Sequence, residues 1–124
     1  MSVVLDASAL LAFLFKEPGG KQVEEVLEGA FISSINWSEV VQKLLQKETG
    51  TEGLRDDLAV LGLTIKPFDG RQAEQTASLW KKGSNLSLAD RACINLATTH
   101  GRNILTADKI WSQVFPDLPI QLIR

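Results

Sequence analysis

Apolar and polar positions along this chain change period from two to 3.6 and back, which predicts strands and helices in turn. Val3-Val4-Leu5 is a β-branched run ending in Asp6, and residues 7–15 then carry helical spacing until Pro18-Gly19-Gly20 breaks it. Residues 21–28 read as a surface helix with a Lys21 to Glu25 pair and with Glu24, Glu25 and Glu28 on its solvated face. Ala30-Phe31-Ile32 is a second strand. In the helix that follows from Asn36, the residues Trp37, Val40, Val41, Leu44 and Leu45 recur at i, i+3, i+4, i+7 and i+8, and Glu39 lies opposite that stripe. A helix over about 52–61 leads to a third strand, Leu63-Thr64-Ile65-Lys66, closed by Pro67. Asp69-Gly70-Arg71-Gln72 predicts a helix cap with a returning glutamine. Ala73, Thr76, Ala77 and Trp80 continue at helical spacing, which assigns Trp80 to the core. After the basic loop Lys81-Lys82-Gly83-Ser84-Asn85 comes an apolar helix over 87–99, stopped by His100-Gly101. Asn103-Ile104-Leu105-Thr106 is a fourth strand, and Ile120 to Ile123 supplies a fifth.

Strands alternating with helices predict an α/β fold of three layers, a central, mostly parallel sheet of four to five strands flanked by helices. The ligand crevice of such a sheet lies beyond the carboxyl ends of its strands. A chain of 124 residues makes one domain over 1–124. It is long enough to bury roughly two thirds of its unfolded surface without staples. With 44% hydrophobic and 23% charged residues, neither disorder nor repeats is suggested. No apolar stretch approaches the ~20 residues of a membrane span and no basic segment precedes one, so a cytoplasmic protein with no membrane partner is expected. The lone cysteine, Cys93, excludes an internal disulfide and argues against zinc held by sulfur; it is expected as a buried packing residue. Trp111 and Phe115 are expected in the core. The only histidine, His100, follows a helix and is expected at the surface, so catalysis by a histidine pair is excluded.

Four acidic residues change the picture. Asp6, Glu39, Asp90 and Asp108 each sit where an apolar segment meets a turn or opens a helix. Asp90 is the most telling, because at ~100° per residue it shares a helix face with Cys93, Ile94 and Ala97, while Arg91, Asn95 and Thr98 form a separate polar stripe. An unpaired carboxylate on an apolar face costs several kcal/mol, so it is normally paired, protonated or bound to metal. Each residue also has a local explanation: Ser87-x-x-Asp90 resembles a capping box, Asn36 and Glu39 can form another, and Asp6 and Asp108 can cap the helices after them. If the four converge, their oxygen-only donor set suits Mg²⁺, with Mn²⁺ as substitute, rather than zinc or copper. The net charge is −2, from 13 basic and 15 acidic residues. Setting the four candidates aside leaves 11 acidic against 13 basic, so the scaffold is slightly positive and a bound divalent ion would reverse the local sign. Carboxylate-held Mg²⁺ activates water and stabilises an in-line phosphoryl displacement, which fits phosphodiester hydrolysis.

Four segments also carry a family resemblance. Val3-Val4-Leu5-Asp6-Ala7-Ser8-Ala9-Leu10-Leu11, Ser33-x-x-x-x-Ser38-Glu39-Val40-Val41, Leu86-Ser87-Leu88-Ala89-Asp90-Arg91-Ala92-Cys93 and Leu105-Thr106-Ala107-Asp108 resemble, in order and spacing, the signature segments of PIN-domain ribonucleases. The likeness is greatest to bacterial VapC-type toxins of toxin–antitoxin pairs, and it runs from about Val3 to the C-terminus. It implies a PIN-like fold in which Asp6, Asp90 and Asp108 hold Mg²⁺ and Glu39 acts as ligand or water-orienting base. It implies an RNA substrate, a small antitoxin whose segment covers the cleft, and a homodimer. Ser8 and Thr106 match hydroxyl positions near the family's metal, and local backbone bonding beside a turn explains them equally. Lys81, Lys82, Arg91 and Lys109 are candidate contacts to RNA phosphates. One departure is Asn85, where glycine is expected in the loop before the Ser87 helix. Two other readings stand beside this one: a PIN-like domain that binds RNA or protein without cutting, and a phosphoacceptor receiver domain. The receiver shares the length and alternation but needs paired acidic residues after the first strand, where Asp6 stands alone.

Overall fold

The computed structural model describes residues 2–124. Five strands, β1 (Val3–Leu5), β2 (Phe31–Ser33), β3 (Thr64–Lys66), β4 (Asn103–Thr106) and β5 (Ile120–Leu122), form one sheet in the order β3-β2-β1-β4-β5. Every neighbouring pair is parallel, so the expected mostly parallel sheet is parallel throughout. A receiver domain follows the order 2-1-3-4-5. The observed order sets that reading aside.

Seven helices complete the chain: α1 (Ala7–Leu14), α2 (Gly20–Val26), α3 (Ser34–Gln46), α4 (Leu54–Val60), α5 (Gly70–Ala77), α6 (Leu88–His100) and α7 (Trp111–Val114). Three layers follow from the strand alternation. Val3 and Leu5 point into a core completed by Leu10 of α1, Val23 of α2, Val40 and Leu44 of α3 and Leu58 of α4. Val4, between them, points into a second core with Cys93, Ile94 and Leu96 of α6 and Trp111 of α7. Cys93 and Trp111 are thus core residues, and Phe115 packs partly buried against the second core.

Capping residues start four of the helices, three where the sequence places them and α3 at Ser33, ahead of the expected start at Asn36. Asp6, Ser33, Asp69 and Ser87 each accept a backbone N–H in the first turn of α1, α3, α5 and α6. Each such cap is worth about 1 kcal/mol. The Asp69 cap forms, but the expected glutamine return does not, and Gln72 Oε1 is buried without a protein partner. Close packing demands one glycine in particular. A Cβ on Gly20 would strike the Ala12 carbonyl, so α1 and α2 meet at backbone contact.

Trp80 corrects the sequence reading. It is 63% exposed, because α5 ends at Ala77 and the chain leaves helical phase before reaching it. Leu79 makes the expected core contact instead. Among the described residues no helix is long and apolar enough to cross a membrane.

The chain runs outward from β1 through β2 to β3, then crosses by way of α5 and α6 to β4 on the other side of β1. The direction of winding therefore reverses between β1 and β4. Their carboxyl ends, which carry Asp6 and lead to Asp108, flank the crevice where parallel sheets receive ligands.

Asn85, the departure from glycine, adopts φ 60, the left-handed region. Asparagine is the non-glycine residue best suited to that conformation, so the loop into α6 keeps a glycine-like backbone. In urea unfolding, Asn85→Gly is expected to leave the unfolding free energy within a few tenths of a kcal/mol of wild type and the midpoint nearly unchanged, and Asn85→Val to lower stability by about 1–2 kcal/mol. Equal midpoints for the two variants would show that the backbone conformation imposes no constraint.

Candidate functional site

Asp6 ends β1 and caps α1, and its carboxylate is nearly enclosed, at 5% exposure. Oδ1 accepts from the Ala9 amide at 2.9 Å and from Ser8 Oγ at 2.7 Å, and Oδ2 accepts from Thr106 Oγ1 at 2.5 Å. The two hydroxyls also work on the other side of the crevice. Ser8 Oγ accepts from the Ala107 amide at 2.9 Å, and Thr106 Oγ1 accepts from the Asp108 amide at 3.0 Å. Their own protons go to Asp6, so the 3.4 Å approach between the hydroxyls is a contact and not a further bond. Ser8 and Thr106 thereby join the end of β1 to the turn after β4 and set where Asp108 emerges.

Asp108 Oδ1 accepts from the Ile110 amide at 3.0 Å, a turn bond ahead of α7 and not the expected cap of that helix, whose N-cap is Ile110 with no side-chain bond. Asp90 stands in the first turn of α6 and completes a capping box: its amide donates to Ser87 Oγ at 3.0 Å, and the Ser87 amide donates to its Oδ2 at 3.1 Å. The expected Asn36 and Glu39 box does not form, because Ser33 caps α3 and Asn36 already lies inside its first turn. Asn36 takes another part. Its Nδ2 donates to Glu39 Oε1 at 3.2 Å and to the Ala89 carbonyl of α6 at 3.0 Å, so this buried side chain ties Glu39 to the turn that carries Asp90. Asn36 Oδ1 is buried with no protein partner. Sequence reasoning treated Asn36 only as a cap; its i, i+3 spacing to Glu39 was the available signal.

The carboxylates act on one another. Burial is the main cause that lifts Asp6 from 3.8 to about 6, against the three hydrogen bonds that favour its ionised form and with added repulsion from Asp90. Burial raises Glu39, with Asn36 opposing and Asp90 reinforcing the shift. Burial likewise raises Asp90, where the Ser87 bonds and Arg91 oppose and Asp108 reinforces. The Cys93 thiol, enclosed beneath them, is pushed well up by burial and by Asp6, Asp90 and Glu39 together. One buried sulfur therefore feels three carboxylates from three separate segments.

The donor set suits a hard cation. Asp90 Oδ1, Glu39 Oε2 and Asp108 Oδ2 take no protein hydrogen bond among the described residues, and all the donors are oxygen. The cluster is open: among the described residues no three acidic, histidine or cysteine side chains stand close enough together to cage an ion.

The basic candidates divide into two kinds. Arg91 Nη1 donates to the Thr76 carbonyl of α5 at 3.3 Å and its Nε is buried, so it lies in the seam between α5 and α6. Lys81 Nζ donates to the Val114 carbonyl at 3.3 Å and sits 4.4 Å from the centre of the Phe115 ring, pinning its loop to α7. Lys82 and Lys109 are exposed.

A family model described as the PIN domain matches residues 3–115. No curated protein sequence matches the chain. Among solved structures, a toxin–antitoxin complex from Klebsiella pneumoniae superposes with a TM-score of 0.74 at 20% identity, covering 98% of both chains. VapBC2 from Rickettsia felis, bound to a DNA fragment from their promoter, gives 0.68 at 16% identity with 98% of each chain covered. A protein from Pyrobaculum aerophilum gives 0.63 at 16% identity, covering 99% of this chain and 92% of that one. At these identities the likeness establishes the fold.

Asp6 generates a stability prediction. With a folded pKa of about 6 against an ordinary 3.8, the folded chain binds a proton that the unfolded chain releases in the window between those values. The ionised carboxylate therefore costs stability above pH 6, and the cost is relieved as pH falls through 6 toward 4. Asp6→Asn mimics the neutral acid. It is expected to stabilise the metal-free protein at pH 7.5 relative to wild type, on the order of 2 kcal/mol, and to lose that advantage at pH 4. Thermal unfolding in EDTA at both pH values reads this directly, and a difference that does not change with pH would refute it.

Proposed function

The chain belongs to the PIN-domain family, and from that premise we propose that it is a Mg²⁺-dependent endoribonuclease, the toxin of a pair neutralised by a small antitoxin. The observation that supports the reading is a pair of hydrogen-bonded links between segments: Ser8 and Thr106 join Asp6 to the turn that bears Asp108, and Asn36 joins Glu39 to the first turn of α6, which bears Asp90. Asp6, Asp90 and Asp108 would hold Mg²⁺, with Mn²⁺ as substitute, and Glu39 would serve as a ligand or orient the attacking water. Bound there, the ion lowers the pKa of a coordinated water and offsets charge on the phosphoryl oxygens.

The protein's own groups do the rest. Ser8 and Thr106 keep the Asp6 oxygens turned by donating to both of them, and Asn36 restrains Glu39 against α6. A carboxylate with a pKa of about 6 is mostly ionised at neutrality and half protonated at pH 6, so Mg²⁺ uptake at Asp6 would compete with a proton and weaken as pH falls toward 6 and below. Lys82 and Lys109, exposed on the loops leading to Asp90 and away from Asp108, are placed to meet RNA phosphates. Arg91 and Lys81 would act at one remove, by holding α5 and α7.

An antitoxin partner is supported by the Klebsiella and Rickettsia structures, both of which are toxin–antitoxin assemblies by name. A homodimer and a cytoplasmic setting belong to the same proposal. The local bonds that each carboxylate makes favour a second reading, a PIN domain that binds without cutting.

Asp90→Asn separates the two, because the amide keeps an oxygen for the Ser87 amide and so preserves the cap. Purified variant is expected to keep the wild-type circular dichroism spectrum and melting temperature within a few degrees. Its Mg²⁺-dependent cleavage of cellular RNA should fall at least about 100-fold. Cleavage at the wild-type rate would remove Asp90 from the mechanism, and a wild-type protein inert toward RNA in Mg²⁺ and Mn²⁺ would favour the noncutting domain.

A further inference from the structure

At the far end of α6 from Asp90, two cations and an imidazole gather round one aromatic ring. Arg102 Cζ lies 3.4 Å and Lys66 Nζ 4.9 Å from the centre of the Phe31 ring, and the His100 ring meets it edge-on at 5.1 Å and 80°. The residues come from β2, β3, the last position of α6 and the turn before β4, so only the tertiary fold brings them together.

Stacking on Phe31 accounts for part of this arrangement, since cations are attracted to a ring face. It does not account for the missing countercharge. The only ion pair among the described residues is Arg124 with Glu17, elsewhere on the surface, although the chain carries more acidic than basic residues. Lys66 and Arg102 repel one another and oppose a charge on His100. Partial burial and the adjacent Lys66 and Arg102 hold His100 below its ordinary pKa. Arg102 is further fixed by donating to the Gly29 carbonyl at 2.8 Å, which holds its charge at the patch. Positive groups kept together at a cost, partly exposed and without an acid, match what a phosphate requires.

We propose that Lys66, His100 and Arg102, organised by Phe31, form a phosphate-binding patch that holds the backbone of the RNA substrate away from the scissile bond. The identity of the ligand rests on the ribonuclease reading above. Ten residues of helix separate Asp90 from His100, which places the patch about 15 Å from the carboxylates along α6. Short RNAs would therefore miss it and longer ones would reach both.

His100 is the only histidine in the chain, so its imidazole resonances report on the patch without ambiguity. Wild-type protein in EDTA, which prevents cleavage, is titrated with a single-stranded RNA of about ten nucleotides, and the histidine signals are followed by NMR. The signals should shift saturably and the His100 titration midpoint should rise. In Lys66→Gln, the RNA affinity should fall several-fold and the slope of log affinity against log salt should shrink by about 1. In Mg²⁺, the same substitution should raise KM for the long RNA with kcat unchanged and leave a dinucleotide substrate unaffected.

RNA that binds while His100 stays unmoved, with an unchanged salt slope in Lys66→Gln, overturns the patch. So does a response to duplex DNA but not to RNA, or no response to either. A His100 response to RNA from a protein that never cuts it supports the patch and rejects the nuclease reading instead.

Discussion

The bond between Thr106 and the enclosed carboxylate of Asp6 is the interaction on which the rest of the site depends. It joins β1 to β4 at the point where the sheet reverses its winding, with Ser8 making the parallel link one turn away. Because both hydroxyls donate to Asp6, their lone pairs accept from the backbone amides after β4, and the Thr106 hydroxyl that donates to Asp6 also accepts from the Asp108 amide. The hydrogen bonds favour an ionised Asp6, yet burial outweighs them and leaves the group near 6. A carboxylate kept poorly solvated and not neutralised is one that the proposed cation would stabilise.

Local hydrogen bonding leaves room for the proposed metal. Asp6 accepts from the first turn after it, Asp90 from the Ser87 amide before it and Asp108 from the Ile110 amide, and these bonds restrain the three side chains. The remaining oxygens are then directed rather than free to rotate. Glu39 lacks such a tie to its own helix terminus and is steadied by Asn36, whose other bond reaches the carbonyl preceding Asp90. The acids that the sequence made hardest to interpret carry structure and chemistry at once.

What the sequence disclosed follows the range of the interactions involved. Strand order aside, the α/β layering was legible, because alternation in Val3-Val4-Leu5 and helical spacing in α3 and α6 are local signals. Asp90 was legible for the same reason: its helix face is shared with Cys93, Ile94 and Ala97, all of which are buried. Trp80 misled because periodicity continues through residues where the helix does not. The polar stripe of α6 was legible but its partner was not: Asn95 bonds Gln75 and Arg91 bonds Thr76, so α5 packs on it, and no local pattern records a polar partner 15 to 20 residues away. The Asn36 link to Ala89 and the cations around Phe31 span still longer separations and could be read only from the folded chain.

The account's central claim is that four carboxylates from separate segments serve one metal centre. Titration calorimetry of the wild-type chain with Mn²⁺ at pH 7.5, repeated with Asp6→Asn, Asp90→Asn and Asp108→Asn, tests it most directly. Saturable binding to the wild type that each single substitution weakens by about tenfold or more would agree with a shared site. Heats indistinguishable from dilution in the wild type, or binding that survives all three substitutions, would contradict it.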